Sequence, residues 1–192
     1  MYQDLLRDQQ LLGFLLQCDG DLAEKARVAG CPGCGGKLHR ANYPRKPRGG
    51  PSEIESGQSW RLSFCCAEDG CRSRMTPTSL RFLGRTVYFS TVMILTQAMR
   101  HGATPARVSH LEELVGVSAR TLRRWRRWWQ TIFATSRFWK EARARFRNPI
   151  LPCALPHALL DCFPGDARSR LIDLLRFLSP ITGGSAYPER AR

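Results

Sequence analysis

The sequence predicts a mainly α-helical fold that carries one small β-structured module. Apolar residues recur at helical spacing in residues 2–17 and again from about 90 to 146. Between these stretches, residues 31–87 are rich in Gly, Pro and Cys and contain short β-like runs at Ser59–Cys65 and Thr86–Phe89. A length of 192 residues allows one domain or two small ones.

The pattern divides the chain into five consecutive segments. Their predicted content is, in order, an N-terminal helix, the β module, a helical region with a long basic helix, a C-terminal helical pair and a flexible tail. The corresponding ranges are 1–30, 31–88, 89–147, 148–180 and 181–192.

Proline and glycine mark the irregular parts of the chain. Three Pro and three Gly without periodicity predict a loop over Tyr43–Gly57. Helix breaks are expected at Gly102–Pro105 and at Gly116–Ser118, where glycine meets proline or a capping serine. The C-terminal pair is predicted at His157–Phe163 and Ala167–Leu178.

The formal net charge of +14 is unevenly distributed. Residues 118–147 carry a net charge of +9 and residues 31–88 a net charge of +6, whereas residues 1–30 carry −2. Such clustering indicates a polyanionic partner, with nucleic acid as the first expectation and an anionic membrane surface as the alternative. Apolar runs fall short of the roughly 20 residues of a membrane span, and no signal-peptide pattern opens the chain, so we expect a cytoplasmic, nucleoid-associated protein.

Two cysteine pairs stand in the β module. Cys31 and Cys34 form a C-x2-C knuckle followed by two glycines, and Cys66 and Cys71 form a C-x4-C pair. Eight cysteines without a secretion pattern argue against a disulfide framework. Four thiolates from two turns would complete a closed tetrahedral Zn2+ site of the structural kind, so the module is predicted to be a small β zinc ribbon.

The ligand assignment leaves alternatives open. Cys65 could replace Cys66 in a C-x5-C pair, although Cys66 lies nearer the turn and is favoured. His39 is a further candidate ligand. The alternative to a metal site is that these cysteines are unconnected buried thiols. The remaining cysteines stand in apolar contexts and are predicted to be core residues: Cys18, Cys153 and Cys162.

A helix–turn–helix is predicted at residues 104–125. Thr104 and Pro105 suit a helix start, Gly116 suits the turn, Val117 would fill the angle between the helices, and Ser118 would cap the second helix. The apolar face of the first helix would consist of Leu111, Leu114 and Val115.

The second helix separates apolar from basic side chains at 100° per residue. Its apolar side comprises Leu122, Trp125, Trp129, Ile132 and Phe133. Its basic side comprises Arg120, Arg124, Arg127 and Thr131, with Arg123 beside them. Arginine forks suit guanine edges and phosphate oxygens, so this side is expected to face DNA; the alternative is an ordinary solvated face. The helix is expected to continue through Phe146; alternatively, residues 135–147 form a separate helix that docks the C-terminal pair, or a surface that pairs two chains.

We therefore predict two groups of DNA contacts. The helix group is Ser118, Arg120, Thr121, Arg123, Arg124 and Arg127. The ribbon group, which would bind phosphates or a neighbouring groove, is Arg72 and Arg74 together with Arg45, Lys46 and Arg48.

The order of these motifs resembles the N-terminal zinc-ribbon region of bacterial insertion-sequence proteins. The resemblance rests on the CPGCGG knuckle, a hairpin, a second cysteine pair and the run Arg72–Ser79 before the helices. The run GVSARTLRRW at Gly116–Trp125 also resembles the recognition unit of transposases and recombinases. The similarity covers about residues 31–130, and it departs from the family in the C-x4-C spacing, where C-x2-C is usual.

A catalytic domain is not expected. Transposases of this kind need three carboxylates on an RNase-H-like fold to hold two metal ions, whereas only five acidic residues follow Ser118 here, without strand patterning. The resemblance implies a non-enzymatic accessory or regulatory factor of a mobile element that binds double-stranded DNA. The alternatives are an adaptor for a transposase or RNA polymerase, and an RNA-binding zinc ribbon. A homodimer on inverted repeats is a further possibility.

Overall fold

The computed structural model describes residues 2–49, 56–83, 88–98 and 104–183. It is mainly helical with a small antiparallel sheet, as the sequence predicts. The α-helices are α1 (Tyr2–Leu6), α2 (Gln9–Ala29), α3 (Ser90–Leu95), α4 (Pro105–Val115), α5 (Ala119–Arg127), α6 (Arg137–Ala142), α7 (His157–Leu160) and α8 (Ala167–Leu178). The strands are β1 (Leu38–Arg40), β2 (Tyr43–Pro44), β3 (Trp60–Arg61), β4 (Phe64–Cys66) and β5 (Arg74–Met75). No helix in these ranges is long and apolar enough to cross a membrane.

The N-terminal region contains two helices where one was predicted over residues 2–17. The Asp8 carboxylate accepts a hydrogen bond from the Leu11 amide at 3.0 Å and caps a new helix. An aspartate in this extended conformation satisfies an amide that has no partner within the helix, so the chain turns there. α2 then runs unbroken to Ala29, where Gly30 ends it.

The β module contains a three-stranded antiparallel sheet in the order β1–β4–β5 and a separate antiparallel pair, β2–β3. The expectation of a loop over Tyr43–Gly57 is wrong at its start, because Tyr43 pairs with Arg61 and Pro44 with Trp60. The predicted run Ser59–Cys65 is divided between β3 and β4, which belong to different sheets. In the run Thr86–Phe89, Thr86 lies outside the described residues, and Phe89 forms an isolated bridge.

α4 and α5 lie in the predicted places. α4 begins at Pro105, whereas Gly102 lies outside the described residues. Gly116 has a φ of +63°, which glycine adopts at little cost, and the Val117 side chain is fully buried in the core. The Ser118 hydroxyl accepts a hydrogen bond from the Thr121 amide at 3.4 Å and caps α5.

The prediction of a continuous helix to Phe146 is wrong, and the alternative of a separate helix is found as α6. After α5 the chain forms a π-helical turn over Trp128–Phe133. The helix then stops at Ser136, whose hydroxyl accepts a hydrogen bond from the Trp139 amide at 3.2 Å and starts α6. Serine competes for backbone groups in this way, which ends one helix and caps the next.

The C-terminal pair is present as α7 and α8, with α7 ending at Leu160 rather than Phe163. The prediction of a flexible tail from Ile181 is wrong for its first residues. A 3-10 turn spans Ser179–Gly183, Ile181 is buried, and the Thr182 hydroxyl accepts a hydrogen bond from the Ser79 amide at 2.7 Å. Residues 184–192 lie outside the described residues.

Candidate metal centre and nucleic-acid interface

The four predicted cysteines come together in space. Cys31 and Cys34 lie on the turn that follows α2, Cys66 ends β4, and Cys71 lies on the next turn. Their sulfur atoms all lie within 4.8 Å of one another. The Sγ–Sγ distance is 3.7 Å from Cys31 to Cys71 and 3.4 Å from Cys34 to Cys66.

Backbone hydrogen bonds shape both turns. The Cys31 amide donates to the Gly36 carbonyl at 2.9 Å, and the Gly35 amide donates to the Cys31 carbonyl at 2.7 Å. Gly35 has a φ of +74°, in the left-handed region that glycine tolerates best. On the second turn, the Cys71 amide donates to the Glu68 carbonyl at 2.9 Å.

The cluster fits a tetrahedral metal ion and does not fit disulfides. Metal–sulfur bonds of about 2.3 Å place the corners of a tetrahedron about 3.8 Å apart, close to the two distances above. A disulfide needs about 2.05 Å, and all eight cysteines are free. The donors can therefore hold one metal ion, and their set of four sulfurs leaves no open position for a substrate.

Cys66 rather than Cys65 belongs to the cluster. The Cys65 Sγ points to the Arg72 carbonyl at 3.6 Å. Neighbouring residues of a strand face opposite sides, so only one of the two can face the other turn. His39 lies opposite Cys65 on β1 and is not part of the cluster.

Ser73 is a residue of the centre that the sequence reasoning missed. Its hydroxyl lies 3.2 Å from the sulfur atoms of both Cys31 and Cys71. Hydrogen bonds from Ser73 and from the Gly33 and Cys34 amides lower the pKa of Cys31 to about 6. The one signal in the sequence is a hydroxyl residue two positions after Cys71.

The pKa of Cys66 is shifted in the opposite direction. The Glu68 amide favours its thiolate, but burial and the neighbouring thiols outweigh this and raise the pKa of Cys66 to about 12. A bound cation would supply the charge that keeps all four sulfurs deprotonated together.

The other cysteines do not all follow the prediction of core residues. Cys18 is half-buried against the core, but Cys153 and Cys162 are exposed. Cys162 comes after the early end of α7 and donates to the Ala158 carbonyl at 3.2 Å. The apolar residues near them in the sequence, Leu155 and Leu160, are the ones that are buried.

All five arginines of α5 are exposed: Arg120, Arg123, Arg124, Arg126 and Arg127. Within the described part of the chain, none of these side chains forms an ion pair or a hydrogen bond. The other side of the helix is buried through Leu122 and Trp125. α5 is thus a helix with a basic side that faces solvent and an apolar side that is buried.

The expected apolar side is wrong at Ile132, which is 41% exposed. Trp129 and Phe133 are buried as predicted. The π-helical turn has more residues per turn than an α-helix and shifts the phase of the residues after Arg127. Trp139 is buried, and Trp128 is half-buried with its ring 4.9 Å from that of Trp129, so both pack rather than project.

α5 is held by contacts from preceding elements. The Tyr88 ring meets the Trp125 ring edge to face, with centroids 4.8 Å apart. The Gln97 side-chain amide donates to the Leu122 carbonyl at 3.1 Å. These contacts fix the orientation of the helix relative to the β module, because Tyr88 also bridges to Arg48.

The remaining predicted contact residues are in varied environments. Ser118 and Thr121 are half-buried, and their hydroxyl oxygens lie 3.2 Å apart, so Ser118 acts in the cap. Arg72 forms an exposed ion pair with Asp69, and Arg74 is exposed on β5. Arg45 is half-buried, with its guanidinium 5.6 Å from the centre of the Phe82 ring.

Comparison with known proteins identifies no relative: no family model, curated protein or solved structure matches the chain.

Proposed function

We propose that this chain is a zinc-stabilised protein that binds double-stranded DNA through α5. One observation carries the proposal: a nine-residue helix exposes five arginines that pair with no described residue, while its opposite side is buried. An unpaired cluster of one sign concentrates positive potential and attracts a polyanion.

The shape of the surface favours a duplex. α4 and α5 are joined by three residues, Gly116–Ser118, as in a helix–turn–helix, in which the second helix enters the major groove. Arginine presents a planar fork that matches the acceptor pair of guanine or a phosphate. Arg120, Arg124 and Arg127 would then be the principal contacts.

Zinc would have a structural role. Four cysteine sulfurs form a closed donor set, and Zn2+ is the ion that most often occupies such a set in a structural site. The smaller of two buried clusters lies around it, formed by Ala23, Cys31, Leu38, Phe64 and Cys66. So small an apolar cluster contributes little by itself, and the ion would supply much of the module's stability.

The role in a mobile element is part of the same proposal. It is supported by the order of the motifs, a cysteine module followed by a basic helix pair, and by the resemblance of GVSARTLRRW to transposase recognition units. The chain would act beside a transposase as an accessory or regulatory factor.

Selection of binding sites tests the proposal. Purified protein with its metal quantified is mixed with random duplexes, and bound duplexes are sequenced over several rounds. We expect one zinc per chain and an enriched motif that Arg124→Ala relaxes at one or two positions, since one bidentate contact discriminates by about 1–3 kcal/mol. Absence of any enriched duplex would contradict the proposal and favour an adaptor that binds protein.

A further inference from the structure

A second exposed surface lies on residues 44–48 and β3. Exposure alternates along this segment: Pro44, Lys46 and Arg48 are exposed, while the residues between them are half-buried. Alternation of this kind is typical of an extended chain with its even-numbered side chains on one face, and the segment begins with β2 and ends at the bridge of Arg48. The Arg45 guanidinium faces inward over the rings of Tyr43 and Phe82, as the alternation requires.

Trp60 belongs to the same outward face. It lies directly opposite Pro44 in the β2–β3 pair and is 42% exposed, one of four large apolar residues so exposed among the described residues. The partners on the inward face, Tyr43 and Arg61, are half-buried and buried. Trp60, Lys46 and Arg48 therefore lie one after another along the same face.

This face is connected to the end of α4 and, through Tyr88, to the buried side of α5. Gly49 lies against the end of α4, where a methyl group added to it would be 3.0 Å from the Val115 carbonyl oxygen. Arg48 bridges to Tyr88, whose ring packs on Trp125 of α5. The two basic surfaces are thus held in a fixed relation by backbone and ring contacts.

Resting on the proposed function, we infer that the face formed by Trp60, Lys46 and Arg48 binds an unpaired strand that continues from the duplex on α5. Alternate residues of an extended segment are about 6.6 Å apart, so Lys46 and Arg48 can meet successive parts of a nucleic-acid backbone. An exposed aromatic ring beside such cations is the usual platform for an unpaired base, because every base has a face that can stack. Paired bases within a duplex already stack on one another and offer no such face.

We expect substitution of Trp60 to keep the fold. The residue is 42% exposed and belongs to neither of the buried apolar clusters of the described residues, and its backbone carbonyl accepts a hydrogen bond from Arg81 at 2.9 Å. Trp60→Ala keeps this carbonyl, and Trp60→Phe also keeps an aromatic ring. Leu151→Ala, at another exposed apolar side chain, and Lys25→Ala, at an exposed lysine of α2, serve as controls.

The test measures the affinity of the full chain for three probes: a blunt duplex, the same duplex with an oligothymidine extension, and oligothymidine alone. We expect the extension to increase affinity about fivefold or more, and Trp60→Ala to remove that gain while leaving blunt-duplex affinity unchanged. Trp60→Phe should retain most of the gain, Lys46→Ala should reduce it, and both controls should retain all of it.

The outcomes separate this inference from the proposed function. No gain from the extension in the unaltered protein, or an equal loss on both duplexes in Trp60→Ala, would overturn the inference and make Trp60 at most a duplex contact. Failure to bind the blunt duplex would contradict the proposed function instead. In that case, binding of oligothymidine that depends on Trp60 would show that the face itself takes an unpaired strand.

Discussion

Asp19 and Arg81 form an ion pair in the interior, with the Asp19 Oδ2 2.9 Å from the Arg81 Nε and both side chains at most 1% exposed. Asp19 also accepts hydrogen bonds from the Leu80 amide and the Ser79 hydroxyl, each at 2.6 Å. Arg81 donates in turn to the Gln58 carbonyl at 2.6 Å. The pair joins α2 to the segment of the β module between β5 and α3, and so ties the module to the helices.

Asp19→Ala should lower the free energy of unfolding by about 3–5 kcal/mol, because it leaves the Arg81 guanidinium buried without a counter-charge. Chemical denaturation monitored by circular dichroism measures the change. Asp21→Ala, at an exposed aspartate of the same helix, is the matched control and should change stability by less than about 0.5 kcal/mol. Equal effects of the two substitutions would show that the pair contributes no special stability.

Cys66→Ser should abolish metal binding, whereas Cys65→Ser should retain one zinc per chain. The sulfur of Cys66 lies in the four-sulfur cluster and that of Cys65 does not. Metal analysis of the purified variants, with cobalt substitution to detect thiolate charge-transfer bands, distinguishes them. Retention of zinc by Cys66→Ser with its loss from Cys65→Ser would reverse the ligand assignment.

Gly49→Ala should destabilise the protein by about 1–3 kcal/mol. Gly49 has a φ of +67°, and its new methyl group would lie 3.0 Å from both the Val115 carbonyl oxygen and a methyl carbon of Val92. Gly13→Ala is the opposite case, since a methyl group added at this position of α2 would meet no atom within 4 Å apart from its chain neighbours and the backbone of its own helix. It should stabilise by about 0.5–1 kcal/mol, and thermal unfolding of both variants checks the contrast.

Local signals predicted which four cysteines lie together and where α4 ends and α5 begins. The spacing of Cys31 and Cys34 and of Cys66 and Cys71 marked the four sulfurs that cluster, because each pair is set by its own turn. Gly116 and Ser118 marked the end of α4 and the start of α5 for the same reason: a left-handed turn and a helix cap depend on residues within one turn of each other.

Local sequence patterns could not predict contacts between distant parts of the chain. The partner of Asp19 is 62 residues away, and nothing near either residue signals the pair. The burial of Ile181 and Thr182 depends on the packing of the chain end against residue 79. Ile132 was assigned to the apolar side because a regular helix was assumed, and the π-helical turn changes the phase at that point.

Whether the arginines of α5 bind DNA can be measured through the salt dependence of duplex affinity. Affinity is measured over a range of salt concentrations for the unaltered protein, for Arg120→Ala/Arg124→Ala, and for the control Arg143→Ala/Arg145→Ala, which removes the same charge from an exposed turn after α6. If α5 binds the duplex, affinity declines steeply with salt, and the slope falls by about one unit for each substituted α5 arginine that contacts a phosphate. Equal slopes and affinities in the α5 variant and the control would mean that these arginines do not bind DNA.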